Sequence, residues 1–155
     1  NHFLITNLPC GEVYLAPVEE SVNGVAVFDE IYANGSKIRD LKCTFSDGKL
    51  VDFSSEIDDV KPFETFLSTH SGDARMVAEL GLGMNPEVHK PVWYIFLDEK
   101  IYGSCHIAIG DNYVYGGVNR SSLHFDMVIM NPTLVVNDVT VFEKGKIVVW
   151  WINME

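Results

Sequence analysis

The chain has 155 residues and a formal net charge of −11. That is enough for one domain with a proper core, and the charge repels phosphates, which excludes DNA and RNA as partners. Hydrophobic residues make up 47% and charged residues 21%, a globular composition and not a disordered one, and no apolar run reaches the length of a membrane span. Cys10, Cys43 and Cys105 are odd in number and far apart, which points to free thiols in a reducing, cytoplasmic setting. The first residues lack the basic region and cleavage site of a secretory signal. The chain opens on Asn1 and not on Met, so the expectation is a fragment or a processed product.

In chain order, residues 3–6 read as a short strand and 7–11 as a loop broken by Pro9 and Gly11. Glu12 begins a strand over 12–16. A carboxylate at such a junction either reaches a site or faces solvent. Residues 22–33 are strand-rich and end at Asn34-Gly35, a tight-turn signal. Residues 38–45 alternate, Asp47-Gly48 marks a second hairpin, and 50–53 continue the meander. Asp58 and Asp59 stand where a helix cap belongs, and Phe63, Phe66 and Leu67 at helical spacing predict a helix over 60–68.

Residues 74–83 predict a strand with Val77, Glu79 and Gly81 on one face and Met76, Ala78, Leu80 and Leu82 on the other. Glu79 in that apolar stretch is costly unless paired or bound to a cation; on a helix it would be a surface residue. His89 lies in a loop and receives no role. Residues 92–97 predict a strand, and Asp98-Glu99-Lys100 either turns the chain or borders a site. Residues 135–142 and 146–152 predict a hairpin around Lys144-Gly145, with Trp150 and Trp151 at a core edge or an interface. The expected fold is α+β: one domain over 1–155, a bent, largely antiparallel β-sheet with one main helix.

The chemistry concentrates between Cys105 and Asp126. Strand alternation puts His106 on one face with Tyr102, Ser104, Ala108 and Gly110, and puts His124 with Ser122, Asp126 and Val128. If the two strands pair, two imidazoles and a carboxylate meet, a donor set for zinc, manganese, cobalt or iron. Gly-x-Gly-x-x-Gly, the P-loop, His-Glu-x-x-His, Cys-x-x-Cys and Gly-x-Ser-x-Gly are all absent. What remains is a dispersed set, Glu12, Glu79, Glu99, His106, His124 and Asp126, of the kind that suits a two-metal hydrolase.

Four segments resemble one family. Leu8-Pro9-Cys10-Gly11-Glu12-Val13 with Ala16-Pro17 is similar to the Pro-x-Gly-Glu-Val…Ala-Pro motif of the aminopeptidase T metallopeptidases. Ala78-Glu79-Leu80-Gly81-Leu82-Gly83 with Asn85 resembles their Gly-Glu-x-Ala-Leu-Gly-x-Asn segment. Asp98-Glu99…Cys105-His106-Ile107-Ala108-Ile109-Gly110…Tyr113 resembles Asp-Glu-Asn-Ala-x-Cys-His-x-Ala-x-Gly…Tyr. Asn119-Arg120-Ser121-Ser122-Leu123-His124-Phe125-Asp126 resembles Asn-x-Ser-x-x-His-x-Asp. The match spans nearly the whole chain and corresponds to the family's C-terminal catalytic part.

The resemblance implies a cocatalytic pair of divalent ions (zinc, cobalt, manganese or magnesium) held by Glu12, Glu79, Glu99, His106, His124 and Asp126. Tyr113 would be a further ligand or hydrogen-bond donor, and Glu12 or Glu79 the proton shuttle. A peptide is the implied substrate, and the N-terminal part of a longer chain and a second copy in a homodimer are the implied partners. Two extra residues separate Glu99 from His106 relative to the family pattern, and the segment from His106 to His124 is short. Gly116-Gly117 with Asn119-Arg120-Ser121 is also similar to a divergent branch containing an iron-dependent dihydroxypyridine dioxygenase, in which His106, His124 and Asp126 alone would hold one iron. A metal-free binding domain is the third expectation.

Overall fold

The computed structural model describes residues 8–148. Its strands are β1 (Glu12–Leu15), β2 (Gly24–Ala33), β3 (Ser36–Ser46), β4 (Lys49–Ser54), β5 (Val77–Gly83), β6 (Cys105–Gly110), β7 (His124–Ile129), β8 (Leu134–Val136), β9 (Val139–Glu143) and β10 (Lys146–Ile147). They form three antiparallel sheets, ordered β1-β5-β6-β7, β2-β3-β4 and β10-β9-β8. The helices are α1 (Lys61–Ser68) and the single turn α2 (Ile95–Asp98). The architecture is therefore mostly β with one main helix, and three sheets replace the one bent sheet expected. The strand expected over 3–6 and the Trp150-Trp151 pair lie outside the described residues.

The hairpins follow from turn chemistry. Asn34-Gly35, Asp47-Gly48 and Lys144-Gly145 all have positive φ at both residues, the backbone of a type I′ turn, whose twist matches that of the strands it joins. Asn137 and Asp138, at φ 48° and 65°, make a fourth. It divides the segment expected as one strand over 135–142 into β8 and β9. In α1, Pro62 occupies the first turn, where its missing N–H costs nothing. The Lys61 N–H donates to Asp59 at 3.0 Å, while Asp58 instead accepts from the backbone and guanidinium of Arg39.

The core lies between the β2-β3-β4 sheet, α1 and one face of the four-stranded sheet. Phe28, Ile38, Leu41, Leu50 and Phe63 are fully buried there with Ile109 and Met127. Burying a side chain of this size contributes about 1.5–3 kcal/mol. Phe63 packs edge-on against Phe53 at 5.1 Å, and Phe66 meets Phe125 at 4.9 Å. Period-two alternation then dictates the other face. Ile107 and Ile109 on β6 and Phe125, Met127 and Ile129 on β7 turn to the core, so His106, Ala108 and Gly110, with His124, Asp126 and Val128, turn away from it.

Residues 92–97 are not a strand. Trp93 has φ 64°, and the Val92 and Trp93 N–H groups both donate to the Asp98 carboxylate at 2.8 and 2.9 Å. The segment closes on itself and enters α2. Strand preference reflects packing on a pleated surface more than intrinsic backbone bias, and here the Asp98 carboxylate takes the Val92 and Trp93 N–H groups.

Candidate metal centre

The four-stranded sheet assembles the site through its register. Ala108 lies opposite Asp126, and Gly110 opposite His124. Gly81 lies opposite His106, and Glu79 opposite Ala108. Glu12 faces Gly83, and Tyr14 faces Gly81. Directly opposed residues share a face, so Glu12, Glu79, His106, His124 and Asp126 stand on one side of one sheet. Gly81 makes this arrangement fit: a Cβ there would run into the His106 imidazole.

Glu79 lies at the centre. Its Oε1 is 3.1 Å from His106 Nε2, and its Oε2 is 3.5 Å from His124 Nε2. Asp126 Oδ1 is 3.5 Å from His124 Nε2, and Glu12 Oε2 is 3.8 Å from His106 Nε2. His124 Nδ1 is 2.7 Å from the Asp111 carbonyl. A carbonyl only accepts, so Nδ1 carries the proton and Nε2 is the nitrogen turned to the cluster. A metal-ligating histidine is usually oriented this way, by its second nitrogen. His106 Nδ1 and Asp126 Oδ1 are buried without a hydrogen-bond partner among the described residues.

Glu99 joins the cluster by another route. It follows α2, where its N–H donates to the Ile95 carbonyl at 3.0 Å, and it is 5% exposed. The donor atoms fall into three groups whose members lie within 4.8 Å of one another: Glu12, Glu79 and His106; Glu79, His124 and Asp126; and Glu99, His106 and Asp126. The two extra residues before His106 do not keep Glu99 away. Lys100, whose segment the sequence left as a turn or the border of a site, is fully buried beside it. Its ammonium is 3.0 Å from Glu12 Oε1 and forms a short contact with Glu99 Oε1.

The electrostatics follow from this crowding. Burial alone would raise Glu79, but hydrogen bonds from His106 and His124 bring it down to about 2. Burial alone would lower His124, but Asp126 and Glu79 take it up to about 10. His106 is likewise raised, against burial, chiefly by Glu79. Glu99 is pushed up by burial and by repulsion from Glu12 and Asp126. Without metal, the face is a network of buried carboxylates balanced by imidazolium and ammonium groups.

Tyr113 is about half exposed, and the Arg120 guanidinium lies 3.1 Å over its ring. The aromatic wall of the site is made by Tyr115, whose ring is 5.3 Å from both the Tyr14 and His124 rings. Burial, then Glu79 and Asp126, push the Tyr115 phenol up to about 12. Tyr14 was legible in principle, as it alternates with Glu12. Tyr115 was not, because it sits in a 3-10 turn (Tyr113–Tyr115). Two buried asparagines brace that loop: Asn112 donates to the Ala78 carbonyl at 3.2 Å and to Glu19 at 2.9 Å, and Asn119 donates to the Val77 carbonyl at 2.6 Å.

A cleft of about 650 Å³ opens beside His124 and Asp126 and runs between β7 and β2 to Ile31, Tyr32 and Trp93. Tyr32 and Trp93 meet edge to face at 5.2 Å. Among the described residues, no helix is long and apolar enough to cross a membrane.

Four carboxylates and two imidazoles gathered together, with His124 and Asp126 on the wall of a cleft, define a candidate divalent-metal centre. The chain belongs to the thermophilic metalloprotease (M29) family, whose pattern matches residues 1–149. Aminopeptidase 2 of Geobacillus stearothermophilus is 31% identical over 157 residues, covering 86% of this chain and 36% of that protein. The fold is similar to that of wild-type AmpT from Thermus thermophilus, with TM-score 0.71, 24% identity, and coverage of 92% of this chain and 41% of that one. It is also similar to 2,5-dihydroxypyridine dioxygenase from Pseudomonas putida KT2440, with TM-score 0.69, 16% identity, and coverage of 87% and 42%. The chain thus spans roughly two fifths or less of the length of these relatives.

Proposed function

We propose that this chain is the metal-binding catalytic part of an aminopeptidase that releases N-terminal residues from peptides. The observation that supports it most is convergence: Glu12, Glu79, Glu99, His106, His124 and Asp126, spread over more than a hundred positions, meet in one cluster within a family of metallopeptidases. The residues fit a divalent ion. Buried His106 Nδ1 and Asp126 Oδ1 lack hydrogen-bond partners among the described residues, and the mixed oxygen and nitrogen set suits zinc, cobalt or manganese better than magnesium.

A cocatalytic pair is the finer form of this reading. Glu79, His106 and Asp126 each belong to two of the three donor groups, so the groups overlap as those of two neighbouring ions would. Bound metal supplies Lewis acidity toward the scissile carbonyl and a more acidic water. The chain's own residues do the rest. Glu12 or Glu79 carries the proton to the leaving amine, the carboxylates attract the substrate's free ammonium, and the cleft toward Trp93 takes a side chain. Tyr115 closes the site beside His124, and Tyr113 would serve only after turning from Arg120. The N-terminal part of a longer chain would complete the walls of the pocket, and a homodimer is proposed on the sequence expectation alone.

The test is release of free amino acid from short peptides by the full-length protein. Activity on free but not N-acetylated peptides, abolished by chelator and restored by zinc, cobalt or manganese, is the expected result. Chelator-insensitive hydrolysis overturns the reading. Oxygen uptake on a dihydroxylated aromatic with ferrous iron would instead support a mononuclear oxygenase using His106, His124 and Asp126.

A further inference from the structure

The metal reading just given leaves one buried cation without a task. Lys100 is fully buried, and its ammonium contacts two of the six candidate ligands, Glu12 and Glu99. An ammonium is rarely buried without a reason, because desolvation is costly unless carboxylates surround it. Here they do: Glu12 and Glu99 both lie against the ammonium. The backbone fixes its position. The Lys100 N–H donates to the Leu97 carbonyl at 3.0 Å, and its own carbonyl accepts from the Asn85 N–H at 3.1 Å.

The three donor groups differ in their relation to this lysine. The group of Glu12, Glu79 and His106 contains a carboxylate bonded to it, and so does the group of Glu99, His106 and Asp126. Only the group of Glu79, His124 and Asp126 has no member in contact with it. We infer that the Lys100 ammonium stands in for one ion of the metal pair, so that the chain takes one divalent ion tightly, at Glu79, His124 and Asp126. On this account Glu12 and Glu99 are held by the lysine. A second ion must compete for their oxygens and approach an adjacent positive charge in a site that water does not screen. The inference rests on the metal reading and narrows it from two tightly held ions to one.

The experiment counts ions. Metal-stripped full-length protein is titrated with zinc by calorimetry, and elemental analysis follows removal of excess metal. Wild-type protein is expected to retain one ion per chain, with any second ion at least roughly 100-fold weaker, the upper end of what a group adjoining a metal ligand changes. Lys100→Met, similar in length and uncharged, is expected to retain two. Its metal-free form should melt lower than wild type, because Glu12 and Glu99 lose their cation, and should gain more from zinc. The second measurement needs no variant: manganese-loaded wild type should give the paramagnetic resonance signal of isolated ions, without the spin coupling of a close pair. Two tightly held ions in wild type, or coupled manganese, overturn the inference and leave the metal reading standing. Lys100→Met that folds and still holds one ion also overturns it. No retained ion in wild type overturns both.

Discussion

Two regions of this molecule are built by the same alternation and end in opposite chemistry. The β2-β3-β4 sheet with α1 buries Phe28, Ile38, Leu41, Leu50 and Phe63, and its stability comes from apolar contact. The outer face of the β1-β5-β6-β7 sheet buries Glu79, Glu99, Lys100 and His106 almost as deeply, and what holds it is charge. In the first region a wrong residue costs packing. In the second it leaves a desolvated charge unbalanced, so removing one partner is costly even where the pair itself is worth little. A protein that accepts such a face uses it for something, and here the use proposed is to hold a cation.

The largest effect expected belongs to the apolar side. Phe63→Ala should destabilise by about 3–5 kcal/mol in urea unfolding, the range for deleting a buried ring, and the loss should be similar with chelator or with zinc. A loss that appeared only in chelator would mean the two regions are not separable. Gly81→Ala probes the seam between them. The added methyl meets the His106 ring, so the cost should be roughly 1–3 kcal/mol, as for overpacking, with zinc affinity falling in the same variant. Unchanged affinity would show that the ring has room to move.

Protonation separates the regions more gently. His124, raised to about 10, stabilises the metal-free fold fully below its unfolded value of about 6.5, and that contribution fades as pH rises toward about 10. Glu79, lowered to about 2, stabilises fully above its unfolded value of about 4.3 and loses this as pH falls toward about 2. The metal-free protein should therefore be helped most by this cluster between about pH 4.5 and 6.5. Zinc, which displaces protons from the imidazoles, should stabilise increasingly as pH rises. Urea midpoints across pH, with and without zinc, would show it; parallel curves would contradict it. The smallest effect is at Arg39 and Asp58, a surface pair with Asp58 held down at about 2 by the guanidinium. Asp58→Ala should move the melting temperature only slightly at neutral pH, and less in high salt.

Much of both regions was legible in the sequence because both rest on local rules. Asn34-Gly35, Asp47-Gly48 and Lys144-Gly145 specify their turns by backbone conformation alone. The pairing of His124 with Asp126, and the burden of Glu79 in an apolar strand, follow from period two. What was hidden depends on contacts distant in sequence. Asp98-Glu99-Lys100 reads as a turn or the border of a site, and only the return of β1 brings Glu12 to Lys100. Residues 92–97 look like a strand until the Asp98 carboxylate gathers their N–H groups. Asn137-Asp138 lacks glycine, so its turn was missed. Tyr113 fits a family motif by position, and its neighbour Tyr115, which no motif marks, lies against the His124 ring.

The central claim is that the charged face is a metal centre, and the most direct measurement is zinc binding by wild-type protein beside Asp126→Asn, followed by calorimetry and by melting in chelator. The amide keeps the shape of the side chain and removes its charge. The account predicts a retained ion and a raised melting temperature in wild type. In the variant it predicts at least about 100-fold weaker zinc binding, beyond what groups adjoining a ligand cause, and a lower melting temperature in chelator as well, because His124 loses the carboxylate charge 3.5 Å away. Equal zinc binding by both proteins, or a wild-type melting curve indifferent to zinc, cobalt and manganese, would contradict it.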